Sequence, residues 1–145
     1  MHKIDTSIEI NASPEAVWRV FSDFAAYGDW NPFIKELTGD IATGGRISIA
    51  MDQGDGKLWR IRPAVIAYEP GARLEWRGRL MLPGVFTGAH SFVLEELEGG
   101  RTKFRQEERF TGLLVPFFKG MLEAKTRPAF EAMNTALKKR VEADG

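Results

Sequence analysis

The sequence contains no cysteine, which excludes disulfides, thiolate metal sites and cysteine nucleophiles together. Histidine is scarce as well. His2 and His90 are the only two, too few for the imidazole sets usual in zinc sites, so no metal is expected. Charge of one sign is also missing: twenty Lys and Arg face twenty Asp and Glu. No net field draws the chain to a polyanion, and nucleic-acid binding is disfavoured. No apolar run approaches the ~20 residues of a spanning helix, so membrane insertion is not expected. Met1-His2-Lys3-Ile4-Asp5 lacks the apolar stretch of a secretory leader, which makes the cytoplasm the expected location. A phosphate-cradling glycine loop, a Gly-x-Ser-x-Gly elbow and a His-Glu-x-x-His pair are all absent. No cofactor is expected. The length, 145 residues, fits one domain over 1–145 with an ordinary apolar core.

What the chain does have is aromatic rings: ten Phe, four Trp and two Tyr. Rings fill cores, and they also line pockets. Their placement follows from the pattern of elements. Residues 3–10 alternate, with Ile4, Thr6, Ile8 and Ile10 on one face, as in a half-buried strand. Ser13 and Pro14 then supply a cap and a first helical residue. Val17, Trp18, Val20, Phe21 and Phe24 form the apolar face of that helix. A second short helix is expected around Trp30 to Ile34. From residue 36 the pattern is strand and turn, with strands near 36–40, 46–52, 57–68, 72–81, 88–97 and 101–110. Short Gly- and Pro-rich turns between them imply an antiparallel meander. After Gly112, Met121, Leu122, Phe130, Met133, Leu137 and Val141 recur at helical spacing. A helix over 121–142 runs about 33 Å, with a kink or restart expected at Pro128. The expected fold is therefore α+β: a curved seven-stranded antiparallel sheet wrapped around a long C-terminal helix, with two short helices after the first strand.

Particular stretches carry a family likeness. Ala12-Ser13-Pro14-Glu15-Ala16-Val17-Trp18 after the opening strand, and Tyr27-Gly28-Asp29-Trp30-Asn31-Pro32-Phe33, resemble the entry motifs of the SRPBCC superfamily (START / Bet v 1-like helix-grip proteins). Gly88 to Glu95 with Gly100 to Phe104, and then Phe110 to Pro116 and Phe130 to Lys138, are similar to the final hairpin and C-terminal helix of its polyketide cyclase/dehydrase-like bacterial branch. The resemblance implies a cavity between sheet and helix and an apolar or aromatic ligand. It implies no catalytic residue, because no single catalytic motif runs through the superfamily.

Strand phase supplies the candidate polar group. His90, Phe92 and Leu94 share a face, as do Phe104, Gln106, Glu108 and Phe110, and the apolar members point both sets inward. A three-residue loop at Glu98-Gly99-Gly100 then pairs Leu94 with Phe104, Phe92 with Gln106 and His90 with Glu108. That register puts a His90–Glu108 pair in the cavity. It reads either as acid–base machinery, with Gln106 orienting a carbonyl, or as a buried polar pair that fixes register. Trp59 and Trp76 share strand phases with Ile61 and Leu74 and are expected to face inward. Trp18, Trp30, Phe33, Phe86, Phe117 and Phe130 complete the aromatic candidates for the cavity wall, with Met121 and Met133 from the helix. The stretch Met81 to Phe86 reads as an apolar lid over one end. Arg60, Arg62, Arg77, Arg79, Lys103, Arg105 and Arg109 fall on the opposite phase. They form a basic stripe on the convex face, interrupted by Glu75 and Glu107 and expected to be solvated and ion-paired.

Three functions follow as expectations. One is binding or carriage of a small apolar or aromatic metabolite or lipid, a small hydrophobic ligand being the expected partner. The second is a cyclase/dehydratase using His90, Glu108 and Gln106. The third is a protein-interaction module. Oligomeric state leaves no mark in the sequence.

Overall fold

A computed structural model describes residues 1–80 and 84–144. Strand β1 (His2–Ile10) buries Ile4, Thr6 and Ile10, and at its end Ser13 caps α1 (Pro14–Phe21). The Ser13 hydroxyl accepts the Ala16 N–H at 3.2 Å, and Pro14 opens the first turn, where its missing N–H costs nothing. The buried face of α1 is Val17, Trp18 and Phe21. A 3₁₀ turn (Phe24–Ala26) leads into a single turn of helix, α2 (Tyr27–Trp30). The second helix thus ends at Trp30, where the sequence pattern has it begin. Asn31 precedes a proline and is pushed to extended backbone (φ −84°, ψ 115°). Its Oδ1 accepts the N–H groups of Phe33 and Ile34, both at 2.9 Å, and turns the chain directly into a strand.

The strands form two antiparallel sheets. β2 (Ile34–Gly39), β3 (Ile47–Asp52) and β4 (Leu58–Ile61) make a three-stranded sheet. β5 (Ala64–Glu69), β6 (Arg73–Leu80), β7 (Phe86–Glu96) and β8 (Thr102–Thr111) form a meander, and β1 returns to pair with β8, giving the order β1-β8-β7-β6-β5. The single strand expected over 57–68 is therefore two. Pro63 has no N–H for a ladder, and the break at Arg62-Pro63 sends β4 to one sheet and β5 to the other. Seven strands in one sheet become, among the described residues, eight in two. The sheets stay joined beside the break: Ile47 N–H donates to the Pro63 carbonyl at 3.1 Å, and Val65 N–H to that of Gly45 at 2.8 Å.

At the C-terminus, α3 (Val115–Met121), a π-helical turn (Leu122–Thr126) and α4 (Arg127–Asp144) run without interruption. The helix starts earlier than the apolar spacing indicates, and Pro128 lies in the first turn of α4, where the restart was expected. Phe130, Met133, Leu137 and Val141 are buried, and α4 packs on β1 and α1. Each large side chain buried there contributes about 1.5–3 kcal/mol. The hairpin between β7 and β8 has the three-residue loop anticipated from strand phase. Gly99 and Gly100 take positive φ (77° and 74°), and Leu97 N–H donates to the Arg101 carbonyl at 2.8 Å. The observed register pairs Leu94 with Phe104, Phe92 with Gln106 and His90 with Glu108. Of the expected lid, Met81, Leu82 and Pro83 lie outside the described residues. Gly84 and Val85 are tied to the start of the C-terminal helix, their carbonyls accepting the N–H groups of Leu113 (3.1 Å) and Leu114 (3.0 Å).

Candidate functional site

A cavity of about 700 Å³ lies between the inner face of β6–β8, the strands β3 and β4, and the segment from Leu114 to Thr126. Its walls are Phe33, Met51, Ile61, Trp76, Phe86, Phe110, Leu114 and Leu122. Trp59, Phe118 and Met121 also line it and are exposed, which marks the mouth. Phe86 meets Phe110 and Phe118 with ring centroids 5.8 Å apart in both cases, closing the side next to the helix start.

Arg60, Arg62 and Arg79, expected on the convex face, also line this cavity, because β4 is a short edge strand and the chain breaks at Arg62-Pro63. The polar groups deepest in the wall are His90 and Glu108. His90 is 2% exposed and Glu108 16%, so the carboxylate is the more reachable of the two. Nδ1 of His90 is 3.4 Å from Glu108 Oε1, and Nε2 is 3.0 Å from Gln106 Oε1. The rest of the network fixes where the histidine proton sits. Gln106 Nε2 donates to the Phe130 carbonyl at 3.1 Å and to Asn134 Oδ1 at 2.7 Å, while Asn134 Nδ2 donates to Thr6 Oγ1 at 3.0 Å. A backbone carbonyl only accepts, so Gln106 turns its amide nitrogen to the helix and its oxygen to His90. His90 must then carry a proton on Nε2. Its Nδ1 faces a carboxylate, and that contact is attractive only when one further proton lies between them, on the imidazole or on Glu108. The pair thus sets an imidazole and a carboxylate side by side at the cavity wall. Aromatic rings enclose the imidazole: Phe92 stacks at 4.3 Å, with Phe130 at 4.6 Å and Trp76 at 5.3 Å.

Not all the predicted wall residues are in the wall. Phe33, Trp59, Trp76, Phe86, His90, Glu108, Phe110 and Met121 line the cavity. Trp18, Phe92, Phe104, Phe130 and Met133 are buried core outside it. Trp18 packs on Phe21 and Tyr68, and Phe21 also covers Phe92 and Phe104. Trp30 packs edge-on against Tyr27, away from the cavity. Phe117 faces solvent, 80% exposed. Trp59 has the inward phase expected of it but is 59% exposed, because β4 is a four-residue edge strand with no neighbour to cover it. Gln106 does not line the cavity. It stands behind His90 and positions it.

Two glycines missed in the sequence help make the space. Gly78 and Gly88 face each other across β6 and β7 on the inner side, next to Trp76 and His90. A side chain on Gly88 would fall on the Glu108 carboxylate. Glycine inside a strand is the sequence signal for such a close approach. Gln53 and Thr126 were also missed. They join β3 to the π-helical turn along the wall, Gln53 Nε2 lying 3.3 Å from Thr126 Oγ1. Among the described residues, no three His, Asp or Glu side chains converge in a way that would hold a metal ion, and no helix is long and apolar enough to cross a membrane.

The architecture has many solved counterparts. An aromatase/cyclase, Zhui from Streptomyces sp. R1128, superposes with a TM-score of 0.74 at 18% identity, over 97% of this chain and 93% of its own. A START superfamily protein from Mycobacterium smegmatis gives 0.75 at 21% identity over the whole of both chains. The di-domain aromatase/cyclase BexL gives 0.73 at 14% identity, over 95% of this chain and 47% of its own. At these identities the likeness establishes the fold alone. No curated protein sequence matches the chain significantly. The helix-grip architecture with its cavity agrees with the sequence profile that residues 1–142 match, and the chain belongs to that family, polyketide cyclase / dehydrase and lipid transport.

Proposed function

We propose that the protein binds a small, mainly apolar or aromatic molecule in the cavity, with a hydroxyl or carbonyl of that molecule meeting Glu108 and His90. The observation that carries this reading is a cavity of about 700 Å³ whose walls are mainly apolar and aromatic, with the His90–Glu108 pair set into them and Arg60, Arg62 and Arg79 along one side. A volume of that size suits a drug-sized ligand, and a few convergent polar groups in an apolar wall are what orient one. Family membership supports the same reading. The test is titration with the neutral apolar probe N-phenyl-1-naphthylamine, read by its fluorescence. Binding is expected in the unaltered protein and should be far weaker in Gly78→Leu, which intrudes on the cavity floor. Equal binding by both proteins overturns the assignment.

A second reading, cyclisation with loss of water, is favoured by the fixed tautomer of His90. In it Glu108 takes a proton from a carbon beside a carbonyl, and the carbanion attacks a second carbonyl. The proton returns to the resulting alkoxide to make a hydroxyl. Glu108 then takes the second hydrogen of the same carbon as the carbon–carbon double bond forms and the hydroxide leaves. That proton goes to the hydroxide as water, while His90 holds the carboxylate in place. Glu108→Gln keeps the shape and removes the base. Under this reading it abolishes turnover of a poly-β-carbonyl substrate without preventing its binding; retained turnover eliminates it.

A further inference from the structure

The convex face carries a second concavity, of about 260 Å³. It is lined by Arg46, Arg62, Arg77 and Arg79 over a floor of Ala64 and Ile66, with no carboxylate in its wall. Register explains the grouping. Arg46 bridges to Ala64, and Ala64 pairs with Arg77, so two arginines flank one alanine in a single row across three strands. Arg79 lies two residues beyond Arg77 on the same face of β6, and Arg62, in the break between β4 and β5, closes the group. The methyl group of Ala64 between long side chains leaves the hollow.

Other arginines on this face are neutralised. Arg105 pairs with Asp5 and Glu107, Arg109 with Glu107, and Arg73 with Glu75 and Glu69. None of the four in the hollow has an ion pair among the described residues. Arg46 alone has a hydrogen-bond partner there, its Nη1 donating to the Arg62 carbonyl at 2.8 Å. In a chain of zero net charge, four neighbouring guanidiniums repel one another unless an anion sits between them. Their planar forks match the oxygens of a phosphate. A carboxylate has two oxygens for four forks, whereas a phosphate monoester offers three and up to two charges.

This hollow is not remote from the cavity, because Arg62 and Arg79 line both. The break at Pro63 is responsible. Pairing of β5 with β6 ends at Ala64–Arg77, and β4 belongs to the other sheet, so the sheets part beside Gly78 and Arg79.

We propose that the arginine hollow binds the phosphate of an amphiphilic ligand whose apolar body occupies the cavity, making the ligand class an aromatic or aliphatic phosphate ester. The inference rests on the cavity being a ligand site, as proposed above. Its test is calorimetric titration of the unaltered protein, Arg46→Ala/Arg77→Ala and Arg46→Lys/Arg77→Lys, two arginines that line the hollow and not the cavity, with 1-naphthyl phosphate, 1-naphthol and inorganic phosphate. Each compound is also used to displace N-phenyl-1-naphthylamine. The ester is expected to displace the probe and to bind at least about tenfold tighter than the alcohol, the scale of one charge-assisted hydrogen-bond pair. That preference should vanish in the alanine variant, shrink in the lysine variant and fall with added salt, while 1-naphthol binds all three proteins alike. An ester that binds no tighter than the alcohol overturns the proposal. So does an ester that binds like inorganic phosphate without displacing the probe, because the hollow is then a separate anion site. If the probe itself fails to bind, the cavity reading falls first; if it binds without any preference for the ester, only the present inference falls.

Discussion

Replacing Gln106 by leucine tests whether the buried amide network holds the site together. The side chain is fully buried and joins three groups: His90 Nε2 at 3.0 Å, the Phe130 carbonyl at 3.1 Å and Asn134 Oδ1 at 2.7 Å. Leucine is close in volume, so strain adds little. The Phe130 carbonyl still has its own helix to bond with, but His90 Nε2–H and Asn134 Oδ1 lose their partners away from water. Each orphaned group costs about 1–3 kcal/mol, and the greater apolar burial of leucine returns about 1–2, so the middle of these ranges gives an expected net loss of about 2–3 kcal/mol. Urea unfolding followed by circular dichroism measures it, with an unchanged slope confirming that the denatured state is comparable. A second variant sharpens the result. In Gln106→Leu/Asn134→Leu, the second substitution removes the orphaned oxygen created by the first. The double loss should therefore be smaller than the sum of the single losses. The functional side of the argument has its own readout. Nitrogen-15 NMR of the imidazole should show His90 Nε2 protonated in the unaltered protein, and a shift toward the Nδ1–H tautomer in Gln106→Leu. A loss below about 1 kcal/mol, or an unprotonated Nε2 in the unaltered protein, refutes the network as described.

Three other substitutions probe separate parts of the structure. Gly112→Ala places a Cβ against the Val85 backbone at a residue with φ of 125°, where β8 turns toward α3; a loss of about 2 kcal/mol or more in urea unfolding is expected. Gly88→Ala adds a methyl group that displaces the flexible end of Glu108. Stability should change by less than about 1 kcal/mol while affinity for a hydroxyl- or carbonyl-bearing ligand falls, which parallel unfolding and calorimetry separate. Asp5 is hydrogen-bonded by Arg105, which holds its carboxyl below the ordinary value of 3.8. A lowered folded-state value gives stability that is complete above about pH 4 and lost as the pH falls through that lower value. Asp5→Asn should flatten this part of the acid-unfolding curve by less than about 1 kcal/mol, the pair being a third exposed.

The sequence discloses faces better than it discloses depth. Alternation put His90, Phe92, Phe104, Gln106 and Glu108 on one side of the sheet, and the loop length set their register, because a period of two leaves no other choice. Alternation does not say what lies above each position. Near the β7–β8 loop, α1 presses Phe21 onto Phe92 and Phe104, while at the other end Gly78, Gly88 and Phe110 border the cavity. Two residues of one phase on one strand, Phe104 and Phe110, therefore end in different environments. Proline and glycine were the readable signals of the difference. Pro63 divides a strand that the apolar pattern alone would have continued, and glycine at two facing inward positions removes the side chains that would have filled the gap. Trp59 shows the same limit from the other direction, having the inward phase but standing on a short edge strand at the cavity mouth.

That contrast yields a test of whether the space is retained for a ligand or is a flaw in packing. At Gly78 a Cβ would sit 3.7 Å from Pro63 and 3.8 Å from Ile61, which are ordinary contacts, and φ there is not in the positive region that favours glycine. Leucine at this position should point into the cavity and bury most of its side chain, which contributes about 1.5–3 kcal/mol. It also removes the backbone entropy cost of a glycine in a strand, about 0.5–1 kcal/mol. Some of that gain is lost in fixing the new side chain, about 0.5–1 kcal/mol. Gly78→Leu should therefore be more stable than the unaltered protein by roughly 1–3.5 kcal/mol, and bind the neutral apolar probe far more weakly. A packing flaw, once filled, would raise stability and leave binding untouched; a ligand site, once filled, must exchange one for the other. Stability that rises while binding persists would place the probe elsewhere. Stability that falls would mean that the cavity is narrower beside Gly78 than its walls imply.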